Sequence, residues 1–304
     1  MPADKIVFAG VGKADWEINL GLDNDIFCFN VESAVELEII NELAAAKNKV
    51  ASIALRINPE VDAHTHAKIT TGMKENKFGI NLSQLGGVLD KLKEMKHVKL
   101  IGIHSHIGSQ ITDMSSFRNL VIRFNEIQEE LEAHGVTVEN LNFGGGLGID
   151  YYHPNHLSIP AFDNYFAAIH KLLQVRPGQQ VHFEPGRSIV AQCGTLISKV
   201  LYVKEGETKK FAILDAGFTE LIRPAMYDAY HRIENISSDE AVETYDVVGP
   251  ICESSDVFGK DVELNKAHRG DLIALRSAGA YGEVMASQYN CRHLPKAYYS
   301  DTIK

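Results

Sequence analysis

The sequence predicts an α/β fold followed by a β domain: a partial (β/α)8 TIM-type barrel over residues 1–190, then a C-terminal β-sandwich or barrel-like domain over 191–304. Apolar strand-like runs alternate with helical patterns as far as residue 190, and later apolar runs are short and separated by turn residues. Because a complete barrel takes roughly 31 residues per βα unit, the first part corresponds to about six of eight units. An open, doubly wound sheet is the alternative, since a six-unit arc leaves unpaired strand edges.

The elements follow from local signals. Ser33 and Glu36 have the spacing of a capping box and open a helix through Leu43. Helical patterns of apolar residues also follow Ser116 and Pro160. The predicted strands of the first part are Ile6–Ala9, Ile26–Val31, Val50–Ile57, Val98–His104, Leu141–Phe143 and Val181–Phe183. Those of the second part are Val200–Val203, Phe211–Leu214, Tyr245–Val248 and Leu272–Leu275.

The composition excludes several classes of protein. The chain has 304 residues, 45% of them hydrophobic, and a formal net charge of -10 with no run of Lys or Arg, which argues against binding to nucleic acid or anionic membranes. No apolar stretch approaches the ~20 residues of a membrane span, and no signal peptide is visible. The four cysteines are scattered without a CxxC pair, which argues against a zinc site or disulfide scaffold and predicts a cytoplasmic location.

Two motifs at predicted strand ends carry the strongest chemical signal. The glycine run at 144–148 can bring backbone N–H groups onto a phosphate, and Arg187 of the Glu-Pro-Gly-Arg tetrad can fork onto phosphate oxygens. Glu184 of the same tetrad can pair with a protonated ring nitrogen. Pyridoxal phosphate is the cofactor that requires all three groups. A tight turn for packing is the alternative for the glycine run, and a simple turn with an Arg–Glu pair is the alternative for the tetrad.

A third strand-end motif surrounds His106. The face of this imidazole can stack on an aromatic cofactor while Ser109 bonds its phosphate. A zinc pair formed with His104 is the alternative, although His-x-His without a third ligand is a weak metal site. An ordinary loop histidine is the other alternative.

Three motifs of the second part add substrate-binding groups. Arg223 can grip a carboxylate and Tyr227 can add a hydroxyl, whereas a surface arginine is the alternative. Cys252 stands beside acidic residues, which suits a proton donor better than a nucleophile, and a buried small hydrophobe is its alternative. Tyr281 lies in a glycine-flanked loop, where a β-turn aromatic is the alternative.

Taken in order, these motifs resemble the pyridoxal phosphate-dependent decarboxylases of fold type III across essentially the whole chain. CESSD and RPAMY favour the branch acting on diaminopimelate over ornithine decarboxylases. The resemblance implies decarboxylation of meso-2,6-diaminopimelate to L-lysine, in lysine biosynthesis, by a homodimer with shared active sites. The motifs are HIGSQ at 106–110, GGGLG at 144–148, EPGR at 184–187, RPAMY at 223–227, CESSD at 252–256 and GAYG at 279–282.

The resemblance also implies residue roles. His106 stacks on the cofactor ring, Glu184 pairs with the ring nitrogen, and Cys252 protonates the carbon that loses CO2; these are the expected catalytic residues. Besides His106 and Glu184, the expected cofactor-binding residues are Ser109, Gly145, Gly146, Gly186, Arg187 and Tyr281. The expected substrate-binding residues are Arg187, Arg223, Tyr227, Tyr281 and Glu253, the last taking the distal ammonium.

One family feature has no match. Members carry the lysine that bonds the cofactor in a Tyr-Ala-x-Lys-Ala segment on the first barrel strand, and Lys13 and Lys77 follow predicted strands without that motif. We therefore expect a truncated member whose N-terminal part is absent and which is inactive alone. A homologue that acts only as a binding or oligomerisation partner is one alternative. A related decarboxylase of another basic amino acid is the other.

Overall fold

The computed structural model describes residues 1–61, 77–157 and 160–302. The chain forms two compact units, Met1–Leu147 with Phe162–Pro185 and Gly148–Ala161 with Gly186–Lys304. Nothing in the sequence indicated that the segment at 148–161 belongs with the second unit. The functional division at residue 190 stays a prediction.

The first unit is built on a parallel sheet whose strand order is β1-β2-β3-β5-β6-β7. Because this order follows the chain without the reversal of a doubly wound sheet, the prediction of a partial barrel is confirmed. Strand β4, which pairs with β3 off this path, was not predicted. The strands are β1 Val7–Phe8, β2 Cys28–Val31, β3 Ala51–Asn58, β4 Ile80–Asn81, β5 Val98–His104, β6 Asn140–Asn142 and β7 Gln180–His182.

Helices connect these strands. Ser33 caps α2 as predicted, accepting a hydrogen bond from the backbone N–H of Glu36 at 3.1 Å. The helix predicted after Ser116 begins at Met114, three residues earlier, because the Asp113 carboxylate accepts from the backbone N–H of Ser115 and starts the helix there. The helices are α1 Asp15–Asp23, α2 Ala34–Ala46, α3 Leu82–Glu94, α4 Met114–Ala133 and α5 Phe162–His170.

Alternating side chains of the sheet fill two apolar clusters. The larger lies under the helices, where Phe124 stacks on Phe143 with ring centroids 4.0 Å apart. The smaller contains Cys28, Ala54 and Ile101. Burial raises the pKa of the Cys28 thiol to about 12, so this cysteine packs as a small neutral hydrophobe.

The second unit contains a six-stranded sheet of order β10-β13-β8-β9-β11-β12, antiparallel except for the β9–β11 pair. Two of its strands, β10 and β12, were not predicted. No helix in the described ranges is long and apolar enough to span a membrane. The elements are α6 Arg187–Val190, β8 Leu196–Glu205, β9 Lys210–Leu214, α7 Arg223–Tyr227, β10 Ile233–Asn235, β11 Val242–Val248, β12 Val257–Asn265 and β13 Leu272–Leu275.

Candidate active site

The carboxyl ends of β5, β6 and β7 bring a group of polar side chains together in the first unit. His104 ends β5 and is in register with Asn142, which ends β6 and pairs with His182 of β7. Glu184 follows β7 by two residues. Since loops after parallel strands meet at one edge, this is where a barrel builds its site.

Glu184 is held as a carboxylate at this edge. The Nδ2 amide of Asn142 donates to its Oε1 at 2.8 Å, and His104 Nε2 lies 3.5 Å from its Oε2. Burial would raise the pKa of Glu184, but contacts with His104 and Asn142 outweigh it and lower the pKa from 4.5 to about 2. With 37% of the side chain exposed, the ionised carboxylate can receive a donor from a ligand.

The contacts and burial of His106 favour a neutral imidazole. The backbone N–H of Gly145 donates to its Nδ1 at 3.1 Å, so the ring proton resides on Nε2. Burial, together with the positive charge of Arg56, lowers the pKa of His106 to about 4. An uncharged ring is compatible with the predicted stacking role.

The glycine run is tightly packed against neighbouring backbone. A Cβ at Gly145 would lie 2.3 Å from the carbonyl oxygen of Glu184, and one at Gly144 would lie 2.5 Å from that of Ser105. Gly146 has a φ of +114°, which disfavours any side chain. Close packing therefore requires glycine at these positions, and the phosphate-binding role of Gly145, Gly146 and the half-buried Ser109 stays a prediction.

Asn142 joins two parts of the site and was not singled out from the sequence. Besides holding Glu184, its Oδ1 accepts from the backbone N–H of Gly144 at 2.9 Å. Its only sequence signal is its position as a polar residue beside the glycine run. One side chain thus positions both the carboxylate and the first glycine.

We expect Asn142→Ala to destabilise the fold by about 1–3 kcal/mol, because the Gly144 N–H loses its buried acceptor. Asn142→Asp keeps that acceptor but places a negative charge beside Glu184. The low pKa of Glu184 contributes stability above pH 4.5 that is lost as pH falls through about 2. In urea unfolding, the stability deficit of the Asp variant should therefore narrow on acidification, whereas the part of the Ala variant's deficit that comes from Gly144 should persist. Equal, pH-independent deficits would contradict this role.

The second unit assembles a cluster of buried arginines and aromatic rings. Arg187 Nη1 donates to the Tyr151 hydroxyl at 2.7 Å, and its Cζ lies 5.0 Å from the ring centroid of Tyr281. Arg223, at the start of α7, donates from Nη1 to His231 Nε2 at 2.7 Å, and its Cζ lies 4.9 Å from the Tyr151 ring centroid. Tyr151 contacts both predicted arginines, and His231 contacts Arg223. Neither Tyr151 nor His231 was singled out from the sequence. Of the predicted substrate residues, Tyr227 ends α7 and is half-buried.

The loop at 252–256 presents two predicted residues to solvent. Asp256 is 4% exposed and accepts from the backbone N–H groups of Phe218 and Ile251, each at 2.7 Å. This anchor leaves Cys252 and Glu253 exposed, so Cys252 is not the buried hydrophobe of the alternative reading. Glu253 accepts a hydrogen bond from the hydroxyl of exposed Tyr289 at 2.7 Å.

The donors and acceptors of the first unit fit a ring that carries an N–H group. Glu184 supplies an ionised acceptor, its Oε2 lies 3.5 Å from Nε2 of buried His104, and Nδ1 of His104 has no hydrogen-bond partner among the described residues. The N–H of a pyridinium ring is a donor that the Glu184 carboxylate can accept. Among all the residues that the structure describes, no group of three or more His, Cys, Asp or Glu side chains is arranged to hold a metal ion.

Comparison with known proteins agrees with this chemistry. Residues 1–191 match the family model described as the pyridoxal binding domain of pyridoxal-dependent decarboxylases. Diaminopimelate decarboxylase of Bacteroides thetaiotaomicron is 68% identical over 302 residues, 99% of this chain and 78% of that protein. The enzyme of that name from Zymomonas mobilis is 43% identical over 97% of this chain and 69% of its own length. The crystal structure of Helicobacter pylori diaminopimelate decarboxylase complexed with L-lysine superposes with a TM-score of 0.88 at 41% identity, over 95% of this chain and 72% of that one.

Proposed function

Since the chain belongs to the pyridoxal-dependent decarboxylases and, within them, to the diaminopimelate decarboxylases, we propose that it converts meso-2,6-diaminopimelate to L-lysine and CO2. The observation that carries this proposal is 68% identity to the Bacteroides enzyme over 99% of the chain. The ionised Glu184 carboxylate at the strand ends supports it chemically.

The first unit supplies the groups for the cofactor ring. When bound, pyridoxal phosphate supplies an electron sink next to the bond that breaks. Glu184 would accept a hydrogen bond from the protonated ring nitrogen at Oε2, since Oε1 already accepts one from Asn142. His106 would offer its neutral ring face. Ser109, Gly145 and Gly146 remain the proposed phosphate ligands of this unit.

The second unit supplies groups for the substrate. Arg187 and Arg223 would bind a carboxylate, because both guanidinium groups are buried beside Tyr151. Cys252 would give its thiol proton to the carbon that loses CO2, and Glu253 would take the distal ammonium. Both loop residues are exposed, so both are accessible to a ligand, which supports these roles.

The function is tested with protein expressed from its complete reading frame and supplied with pyridoxal phosphate. We expect release of CO2 and L-lysine from meso-2,6-diaminopimelate, and much slower turnover of ornithine and arginine. Preference for ornithine or arginine would instead indicate a related decarboxylase. A protein that binds the cofactor and turns over none of the three would be a homologue with a binding role.

We expect Cys252→Ala to lower kcat while leaving KM nearly unchanged, because the thiol acts after the substrate is bound. Glu253→Gln should instead raise KM, because an ion pair present in the bound substrate is lost. Steady-state kinetics with diaminopimelate measures both constants. Ser254→Ala in the same exposed loop is the control and should change neither constant. Equal effects of the two variants on kcat and KM would contradict the separate roles.

A homodimer whose loop at 252–256 completes the partner's site is part of the proposal, as is a cytoplasmic location. Mixing Cys252→Ala subunits with Glu184→Gln subunits tests the shared site, because each mixed dimer would regain one site with both groups intact. We expect recovery of about a quarter of the activity if subunits exchange freely and pair at random. If exchange is demonstrated and activity does not return, both residues act within their own chain.

A further inference from the structure

His231 is a buried histidine whose protonation state follows from its contacts. It is 1% exposed, and its Nε2 faces Arg223 Nη1 at 2.7 Å while its Nδ1 faces the carbonyl oxygen of Arg276 at 2.9 Å. A guanidinium can only donate and a carbonyl can only accept, so Nε2 carries the lone pair and Nδ1 the proton. Burial, which lowers the pKa of His231 to about 4, agrees with this neutral form.

Arg223 is therefore held in place without being neutralised. The residue is 4% exposed, and no carboxylate in the described part of the chain forms an ion pair with it. Its titratable neighbours are Tyr151, Arg187 and Tyr227, and burial lowers its pKa. A buried charge without a counter-ion is costly, and an anionic ligand would relieve that cost.

Arg276 of the same unit shows the usual alternative. Its Nη1 donates to Glu234 Oε2 at 2.9 Å, so its charge is compensated within the protein. A glutamate in the place of His231 could hold Arg223 equally well but would cancel the charge. An imidazole supplies an acceptor without a charge.

We propose that His231 is a positioning residue that orients Arg223 toward the carboxylate of the substrate and, by staying neutral, keeps the full charge of Arg223 for that carboxylate. This inference rests on the proposed function, which assigns Arg223 to the substrate. The neutral His231 would thereby favour the binding of ligands that carry a carboxylate.

The test compares His231→Gln with His231→Glu in the full-length holoenzyme. The two side chains have nearly the same shape and both offer an acceptor to Arg223, but only glutamate carries a charge. The probes are L-lysine, which is the proposed product, and L-lysinamide, in which a neutral amide replaces the carboxylate. Calorimetry gives the dissociation constant of each probe, and their ratio cancels effects common to both.

In the wild-type protein we expect lysinamide to bind about 10- to 150-fold more weakly than lysine, the range for one charge-assisted hydrogen bond. His231→Gln should keep most of that ratio, and His231→Glu should lower it severalfold, with the remaining discrimination supplied by Arg187. Equal ratios in the two variants would overturn the role of His231. If the wild-type protein itself does not discriminate, the assignment of Arg223 in the proposed function fails as well. Should either variant fail to fold, His231→Asn and His231→Asp repeat the same charge difference with a shorter side chain.

Discussion

Glu184→Gln should lower kcat by about 10- to 150-fold in the holoenzyme, the loss expected for one charge-assisted hydrogen bond in a partly enclosed site. The carboxylate is ionised at any pH well above 2, because His104 and Asn142 outweigh the effect of burial and lower the pKa of Glu184 to about 2. A neutral amide would not stabilise a positive charge on the cofactor ring.

The expected loss is specific to the chemical step. Glutamine keeps an oxygen for the Asn142 amide, which lies 2.8 Å from Glu184 Oε1, so the strand ends should stay in place. Cofactor content, measured by visible absorbance, should remain near the wild-type value. Glu207→Gln, at an exposed turn of the second unit, is the control and should keep full activity. Unchanged turnover in Glu184→Gln would remove the ring-nitrogen role.

The strands that the sequence predicted best are those that place these residues. Val98–His104 was predicted with the observed bounds, because its apolar run stops at a polar residue that faces the site. Strands β4 and β10 each contain a single apolar residue, Ile80 and Ile233, so neither shows an apolar run in the sequence. Strand β12 contains Gly259, Lys260 and Asp261 in its middle, and this turn-like composition hid it.

The site residues that stand in local motifs were predicted. Those that join the site through contacts distant in sequence were missed. Glu184 and Arg187 stand in a tetrad that is visible as a unit. Asn142 meets Glu184 across 42 positions, and Tyr151 meets Arg187 across 36, so no local pattern could pair them. Spacing alone could not single out His231 either, since its role depends on which groups surround Arg223 in the folded chain.

A buried ion pair of the first unit, Glu32 with Arg56, should be the most sensitive point for stability. Glu32 Oε1 lies 2.6 Å from Arg56 Nη1, its Oε2 accepts from the backbone N–H of Gly79 at 2.9 Å, and the Arg56 guanidinium lies over the Phe78 ring. The side chains of Glu32 and Arg56 are 1% and 8% exposed. We expect Arg56→Met to cost about 3–5 kcal/mol in urea unfolding, because it leaves the Glu32 carboxylate buried without a counter-charge.

The double variant Glu32→Leu/Arg56→Met distinguishes the net contribution of the ion pair to stability from the cost of burying one charge without its partner. It should recover much of the stability lost by Arg56→Met, because no buried charge remains. Lys93→Met, which removes the exposed pair with Asp90, is the control and should leave stability unchanged within error. Arg56→Met should also raise the pKa of His106 from about 4, since the charge of Arg56 is the next cause after burial of its low value. Titration of His106 by NMR measures that shift, and an unchanged pKa would mean that Arg56 supports the fold without tuning the site.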